Sequence, residues 1–189
     1  MQNFKQVFYA PNQLTLLRLI FTPFVILSIV VGEYGTAFAL VLVAGITDGL
    51  DGVLARRLKQ QTTLGMYLDP IADKLLLTSA FVVLGLERRI PLWLVILVLS
   101  RDVIILATAL VMILTTSMRS FRPSIYGKIN TLAQVVAVLA TLLVLMYPYA
   151  ALRGLQQAAF YATATFTVVS WLHYAFDLAE QLRRLERNH

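Results

Sequence analysis

Residues 34–86 read YGTAFALVLVAGITDGLDGVLARRLKQQTTLGMYLDPIADKLLLTSAFVVLGL. Two apolar runs flank a polar joint. Four aspartates, Asp48, Asp51, Asp69 and Asp73, sit where the apolar sequence gives way to that joint. Each run is near the length that crosses ~30 Å of hydrocarbon as a helix. A carboxylate inside a membrane costs roughly 3 kcal/mol, and grouping like charges raises the cost. Four such groups at regular spacing therefore imply a cation that holds them together.

The rest of the chain repeats the apolar theme. Of its 189 residues 59% are hydrophobic, and the mean hydropathy is +0.75, well above an ordinary soluble domain. Six apolar stretches, residues 14–31, 34–55, 66–86, 91–116, 127–148 and 155–178, predict an all-α integral membrane protein with six transmembrane helices. Residues 1–12 precede them as a juxtamembrane segment. There Phe4, Val7 and Phe8 share one helical face, which fits a short amphipathic helix on the membrane surface as well as a frayed terminus. A cleaved leader fits less well, because Arg18 interrupts the first apolar run. With no internal repeat and no linker, residues 1–189 read as a single membrane domain.

Charge gives the orientation. Lys5, Arg56, Arg57, Lys59, Arg119, Arg122, Lys128, Arg183, Arg184 and Arg187 fall on the side of the termini, and only Arg88, Arg89 and Arg153 on the other. That bias puts both termini and the aspartate joint on the cytoplasmic side, at the cell inner membrane if the source is bacterial. The formal net charge of +6 then points to anionic lipid or phosphorylated substrates rather than nucleic acid. The absence of cysteine excludes thiolate chemistry.

Asp48 and Asp51 are three residues apart, and Asp69 and Asp73 four apart, so each pair shares a helix face. If the joint reverses the chain, antiparallel neighbouring helices bring all four carboxylates around one point near the membrane surface. This hard, all-oxygen set suits Mg²⁺, Mn²⁺ or Ca²⁺ rather than zinc or copper. Gly52 lets a ligand lie against the backbone. Pro70 fits the first turn of the third helix, which would set Asp69 at a helix N-terminus. Arg56, about two turns beyond Asp48, offers its planar fork to a phosphate. Metal-binding carboxylates beside an arginine point to a diphosphate substrate. Scattered interfacial aspartates would have no reason for this spacing.

The run Asp48-x-x-Asp51-Gly52-x-x-Ala55-Arg56, eight residues, then Gly65-x-x-x-Asp69-x-x-x-Asp73 resembles the signature of the CDP-alcohol phosphatidyltransferases at every marked position. The resemblance extends over nearly the whole chain. It implies transfer of a phosphatidyl group from CDP-diacylglycerol to an alcohol, with release of CMP, by a homodimer in the membrane. It also implies that Asp48, Asp51, Asp69 and Asp73 bind two divalent ions, Mg²⁺ or Mn²⁺, and that Asp73 is the base for the acceptor hydroxyl. Gly52, Arg56 and Gly65 would meet the donor. Asn12, Thr15 and Arg18, spaced by three, are similar to the family's N-terminal donor-binding element. Asn12 alone reads equally as a helix cap after Pro11.

A second polar group should read the acceptor. Arg101-Asp102 lies inside the fourth apolar stretch, and Arg119, Arg122 and Lys128 flank the next connection. Lys128, Thr131 and Gln134 recur at three, as one stripe. This region is similar to the branch of phosphatidylglycerolphosphate synthases and CMP-forming cardiolipin synthases. Arg101, Arg119 and Lys128 would bind the acceptor's phosphate, with glycerol 3-phosphate the leading acceptor and phosphatidylglycerol the alternative. The Ser100-Arg101-Asp102 wording leans towards the alternative. A structural ion pair is the other reading of Arg101. Lys74, beside Asp73, is free to meet lipid phosphate.

Two other classes place aspartates in membrane bundles. A transporter predicts carboxylates at several depths and internal repeats, and a membrane prenyltransferase predicts two aspartate motifs far apart. One compact cluster on consecutive helices fits neither.

Overall fold

The computed structural model describes the backbone of residues 10–58, 63–115 and 125–187, and the side chains of residues 18–47, 74–104, 127 and 129–173. Within them the chain forms six helices: α1 (Ala10–Val31), α2 (Tyr34–Leu58), α3 (Thr63–Leu86), α4 (Leu92–Thr115), α5 (Ile125–Met146) and α6 (Ala150–Arg187). The first five fall on the expected apolar stretches. The sixth runs further in both directions than residues 155–178. It starts at Ala150, two residues after Pro148, where the Arg153 N–H donates to the Tyr149 carbonyl at 3.2 Å. Acidic and basic residues at helical spacing, from Asp177 to Arg184, sustain it past the apolar part. The expected surface helix lies outside the described residues.

Two connections at one end of the bundle are tight turns of the same design. Gly32 closes α1 at φ 86°, with its N–H on the Ile29 carbonyl at 3.1 Å and the Glu33 N–H on the Ser28 carbonyl at 2.8 Å. Arg88 does the same for α3 at φ 56°, with its N–H on Gly85 and that of Arg89 on Leu84. Both are six-to-one C-caps that need a left-handed residue, which glycine adopts without strain and arginine does not. Pro91 then offers its carbonyl to the N–H groups of Leu94 and Val95 at the start of α4.

All six helices contribute to one core. Val25 and Ile29 of α1, Ala37 and Val41 of α2, and Phe81 and Leu84 of α3 meet Leu94 and Val98 of α4, Val138 and Leu142 of α5, and Phe160 of α6. Helix α1 packs on both α2 and α3, α5 on α2, α3 and α6, and α4 on α3 and α6. The expected direct packing of α2 on α3 is not found among the described residues. Their chain ends are joined by a short connection, but their apolar lengths both rest on α1.

The polarity is the reverse of a water-soluble bundle. Ile20, Leu27, Ile96, Leu132 and Leu172 are exposed, whereas Arg18, Arg101, Asp102, Asn130 and Gln134 are buried. Threonine hydroxyls turn back on their own helices, as Thr22 does on the Arg18 carbonyl at 2.9 Å and Thr141 on the Ala137 carbonyl at 2.7 Å. That is how a hydroxyl is satisfied where no water reaches it. Among the described residues, Ile129–Met146 is long and apolar enough to cross a membrane, and Arg18–Val31, Tyr34–Thr47 and Lys74–Leu86 are shorter apolar stretches.

Candidate active site

The aspartates occupy the ends of α2 and α3 that adjoin residues 59–62. Asp48, Asp51, Gly52 and Arg56 belong to the last turns of α2, and Gly65, Asp69 and Asp73 to the first turns of α3. Their side chains lie outside the described ones, as do those of Asn12, Thr15 and Lys128, while Arg119 lies outside the described residues altogether. What the backbone fixes is register: each aspartate pair shares a face of a continuous helix. One expectation fails. Helix α3 begins at Thr63, so Pro70 is interior, and Asp69 is not at a helix N-terminus. The proline withholds the N–H that would otherwise meet the Met66 carbonyl.

A described polar network begins one residue beyond Asp73. The Lys74 ammonium donates to Asp102 Oδ1 across from α3 to α4. Pairing with lipid phosphate, the role expected for Lys74, gives way to this ion pair. The same Oδ1 takes a hydrogen bond from Arg101 Nη1 at 2.8 Å. Arg101 also reaches α6, where Ser170 Oγ accepts from Nη2 at 3.0 Å and Nε at 3.3 Å. The side chains of Arg101 and Asp102 are 4% and 8% exposed, against 36% for Lys74. One carboxylate oxygen thus serves two cations, and the other, Oδ2, is buried without a hydrogen-bond partner. A buried ion pair is weak evidence of net stability, because desolvation offsets its attraction. Here it ties the turn after Asp73 to α4 and, through Arg101, to α6.

One turn along α6 the layer continues. Thr167 Oγ1 lies 2.8 Å from Asn130 Oδ1 of α5 and 2.7 Å from the Thr163 carbonyl. Asn130 is fully buried and Gln134, four residues on, nearly so, and neither Asn130 Nδ2 nor Gln134 Nε2 has a hydrogen-bond partner. Of the expected Lys128–Thr131–Gln134 stripe, Gln134 is inside, and the Lys128 side chain lies outside the described ones. Thr131 is half-buried and donates to the Gly127 carbonyl at 3.1 Å, and Asn130 stands with Gln134 in the interior. Arg18 of α1, expected at the donor site, is also inside, at 3% exposure. Sequence reading passed over Thr167 and Ser170, because each is an ordinary polar residue until its distant partner is known.

A membrane-type bundle with an interior layer of charges and amides, flanked by helix ends that carry paired aspartates, defines a class. Residues 8–169 match the family model of the CDP-alcohol phosphatidyltransferases, and the chain belongs to that family. Among curated relatives, it is 32% identical over 189 residues to the CDP-diacylglycerol–glycerol-3-phosphate 3-phosphatidyltransferase of Bacillus subtilis, covering 89% of this chain and 94% of that one. The enzyme of the same name from Escherichia coli is 36% identical over 173 residues, 88% and 93% of the two chains. A probable CMP-forming cardiolipin synthase of Drosophila melanogaster is 33% identical over 88% of this chain and 56% of its own.

Proposed function

We propose that the chain transfers the phosphatidyl group of CDP-diacylglycerol to a primary hydroxyl of glycerol 3-phosphate and releases CMP. The observation that carries this is likeness along nearly the full length of both chains to relatives that bear this activity in their names. The aspartate spacing supports it independently, since four carboxylates from two helices are a hard donor set fit for Mg²⁺ or Mn²⁺. Asp48, Asp51, Asp69 and Asp73 would hold two such ions. When bound, these supply the positive charge that neutralises the oxygens of the donor's diphosphate.

The residues divide the remaining work. Asn12, Thr15, Arg18, Gly52, Arg56 and Gly65 meet the nucleotide and diphosphate of the donor. Arg101, Arg119 and Lys128 meet the acceptor's phosphate. Asp73 takes the proton from the acceptor hydroxyl as its oxygen attacks the phosphorus bearing diacylglycerol. The bond from that phosphorus to the bridging oxygen breaks, and CMP leaves with the electron pair. The exposed apolar surface of every helix and the sidedness of the basic residues support six spans, with both termini and the site on the cytoplasmic side. The working unit is a homodimer.

A second reading takes phosphatidylglycerol as acceptor. The Drosophila relative and the Ser100-Arg101-Asp102 sequence favour it. Purified protein given CDP-diacylglycerol, Mg²⁺ and one acceptor at a time decides. CMP release with glycerol 3-phosphate alone is the expected result, release with phosphatidylglycerol alone reverses the order, and release with neither rejects both.

A further inference from the structure

Among the described residues the α5–α6 contact contains two threonine–amide pairs, and they differ. Towards the end with the tight turns, Thr141 donates to the Ala137 carbonyl at 2.7 Å and accepts from Gln156 Nε2 at 3.2 Å, so its hydroxyl is fully used. Thr167 likewise sits 2.7 Å from the carbonyl four residues back, yet it faces Asn130 Oδ1 at 2.8 Å. A hydroxyl has one proton and cannot donate to both oxygens. Rotating the Asn130 amide by half a turn gives the Thr141 pattern: Nδ2 donates to Thr167, and Thr167 donates to the Thr163 carbonyl. The carbonyl Oδ1 of Asn130 is then the end left over.

That leaves one buried acceptor, Asn130 Oδ1, and one buried donor, Gln134 Nε2. They stand one helical turn apart on the same face, with Cβ atoms about 6 Å apart. Leaving each without a partner costs free energy that a ligand could recover. An acceptor beside a donor is the complement of a hydroxyl group, which can give one hydrogen bond and take another. Carboxylate or phosphate would satisfy Gln134 and leave Asn130 worse off.

The pair also lies in the right layer. Thr167 and Ser170 are three residues apart on α6, a rise of about 4.5 Å. The first holds Asn130 and the second holds Arg101. Arg101 shares Asp102 with Lys74, the neighbour of Asp73. We infer that Asn130 and Gln134 determine acceptor specificity by binding the secondary hydroxyl of a glycerol unit, next to the primary hydroxyl that attacks. This rests on the reaction proposed above. Glycerol 3-phosphate and the headgroup of phosphatidylglycerol share that secondary hydroxyl, so the inference holds for either acceptor.

The test compares glycerol 3-phosphate with 3-hydroxypropyl phosphate, which keeps the attacking hydroxyl and the phosphate and lacks the middle hydroxyl. A parallel arm compares phosphatidylglycerol with phosphatidylpropanediol. Wild type should favour the full acceptor by roughly tenfold or more in kcat/KM. In Asn130→Leu and in Gln134→Met the preference should fall to within about threefold, with KM for CDP-diacylglycerol unchanged. Should Asn130→Leu fail to fold, Gln134→Met carries the same decision alone. A wild type indifferent to the missing hydroxyl, or variants that lose activity equally with both acceptors, overturns the inference and leaves the reaction standing. No turnover by wild type with any of the four overturns the reaction, and the inference with it.

Discussion

The two ends of the bundle are built on opposite rules. At the end with the 32–33, 87–91 and 147–149 connections the interior is Val25, Ile29, Ala37, Phe81, Leu84 and Leu94, close-packed and apolar. There the Thr141 hydroxyl both donates, to the Ala137 carbonyl, and accepts, from Gln156 Nε2. At the other end the interior holds Arg18, Arg101, Asp102, Asn130 and Gln134, and buried polar atoms remain over. Apolar burial contributes about 25 cal/mol per Å² without direction, whereas a buried unpartnered amide or carboxylate costs free energy. The first end holds the fold together, and the second keeps polar groups buried at a cost in stability, as the proposed chemistry would require.

Substitutions at the two ends should therefore fail differently. The largest effect is expected from Asp73→Asn, which should lower transfer by roughly 10²–10⁴-fold, the range of a lost general base, at an unchanged melting temperature. A variant with wild-type turnover would remove Asp73 from the role of base. Next comes Asp102→Ala, which removes the carboxylate that Lys74 and Arg101 share. Breaking a buried pair in this way costs about 3–5 kcal/mol, and thermal unfolding in detergent would read it. An unchanged midpoint would mean that the two cations find water or another anion, so that the polar end is wetter than its burial implies.

At the apolar end Gly85→Ala should cost about 1–3 kcal/mol by overpacking, because the added Cβ would lie 2.6 Å from Val95 Cγ2. Activity per folded molecule should stay the same. Loss of activity without loss of stability would erase the contrast between the ends. The smallest effect is Arg88→Gly. Relief of the left-handed backbone outweighs the extra freedom of an unfolded glycine and should raise stability by about 0.5–1 kcal/mol. A drop instead would show that the Arg88 side chain earns its place, in the same corner where Arg89 Nη2 lies 3.5 Å from the Tyr34 hydroxyl.

The helices were legible because apolar runs of bilayer length, broken by Gly32, Pro91 and Pro148, leave few alternatives. The aspartate pairs were legible because their partners are close in sequence. The interior network was not: Lys74 meets Asp102 across 28 residues, Thr167 meets Asn130 across 37, and Arg101 meets Ser170 across 69. Nothing local marks such partners. Pro70 misled for a related reason. A proline is cheapest in a first turn, but the preceding residues from Thr63 onward continue the helix and override that preference.

The proposed reaction turns on divalent ions held jointly by carboxylates of α2 and α3. CMP release measured with purified protein, CDP-diacylglycerol and glycerol 3-phosphate tests it most directly when EDTA is added and Mg²⁺ or Mn²⁺ is then restored. Release should stop with EDTA and return with the metal. Release that continues at the same rate in EDTA would contradict it.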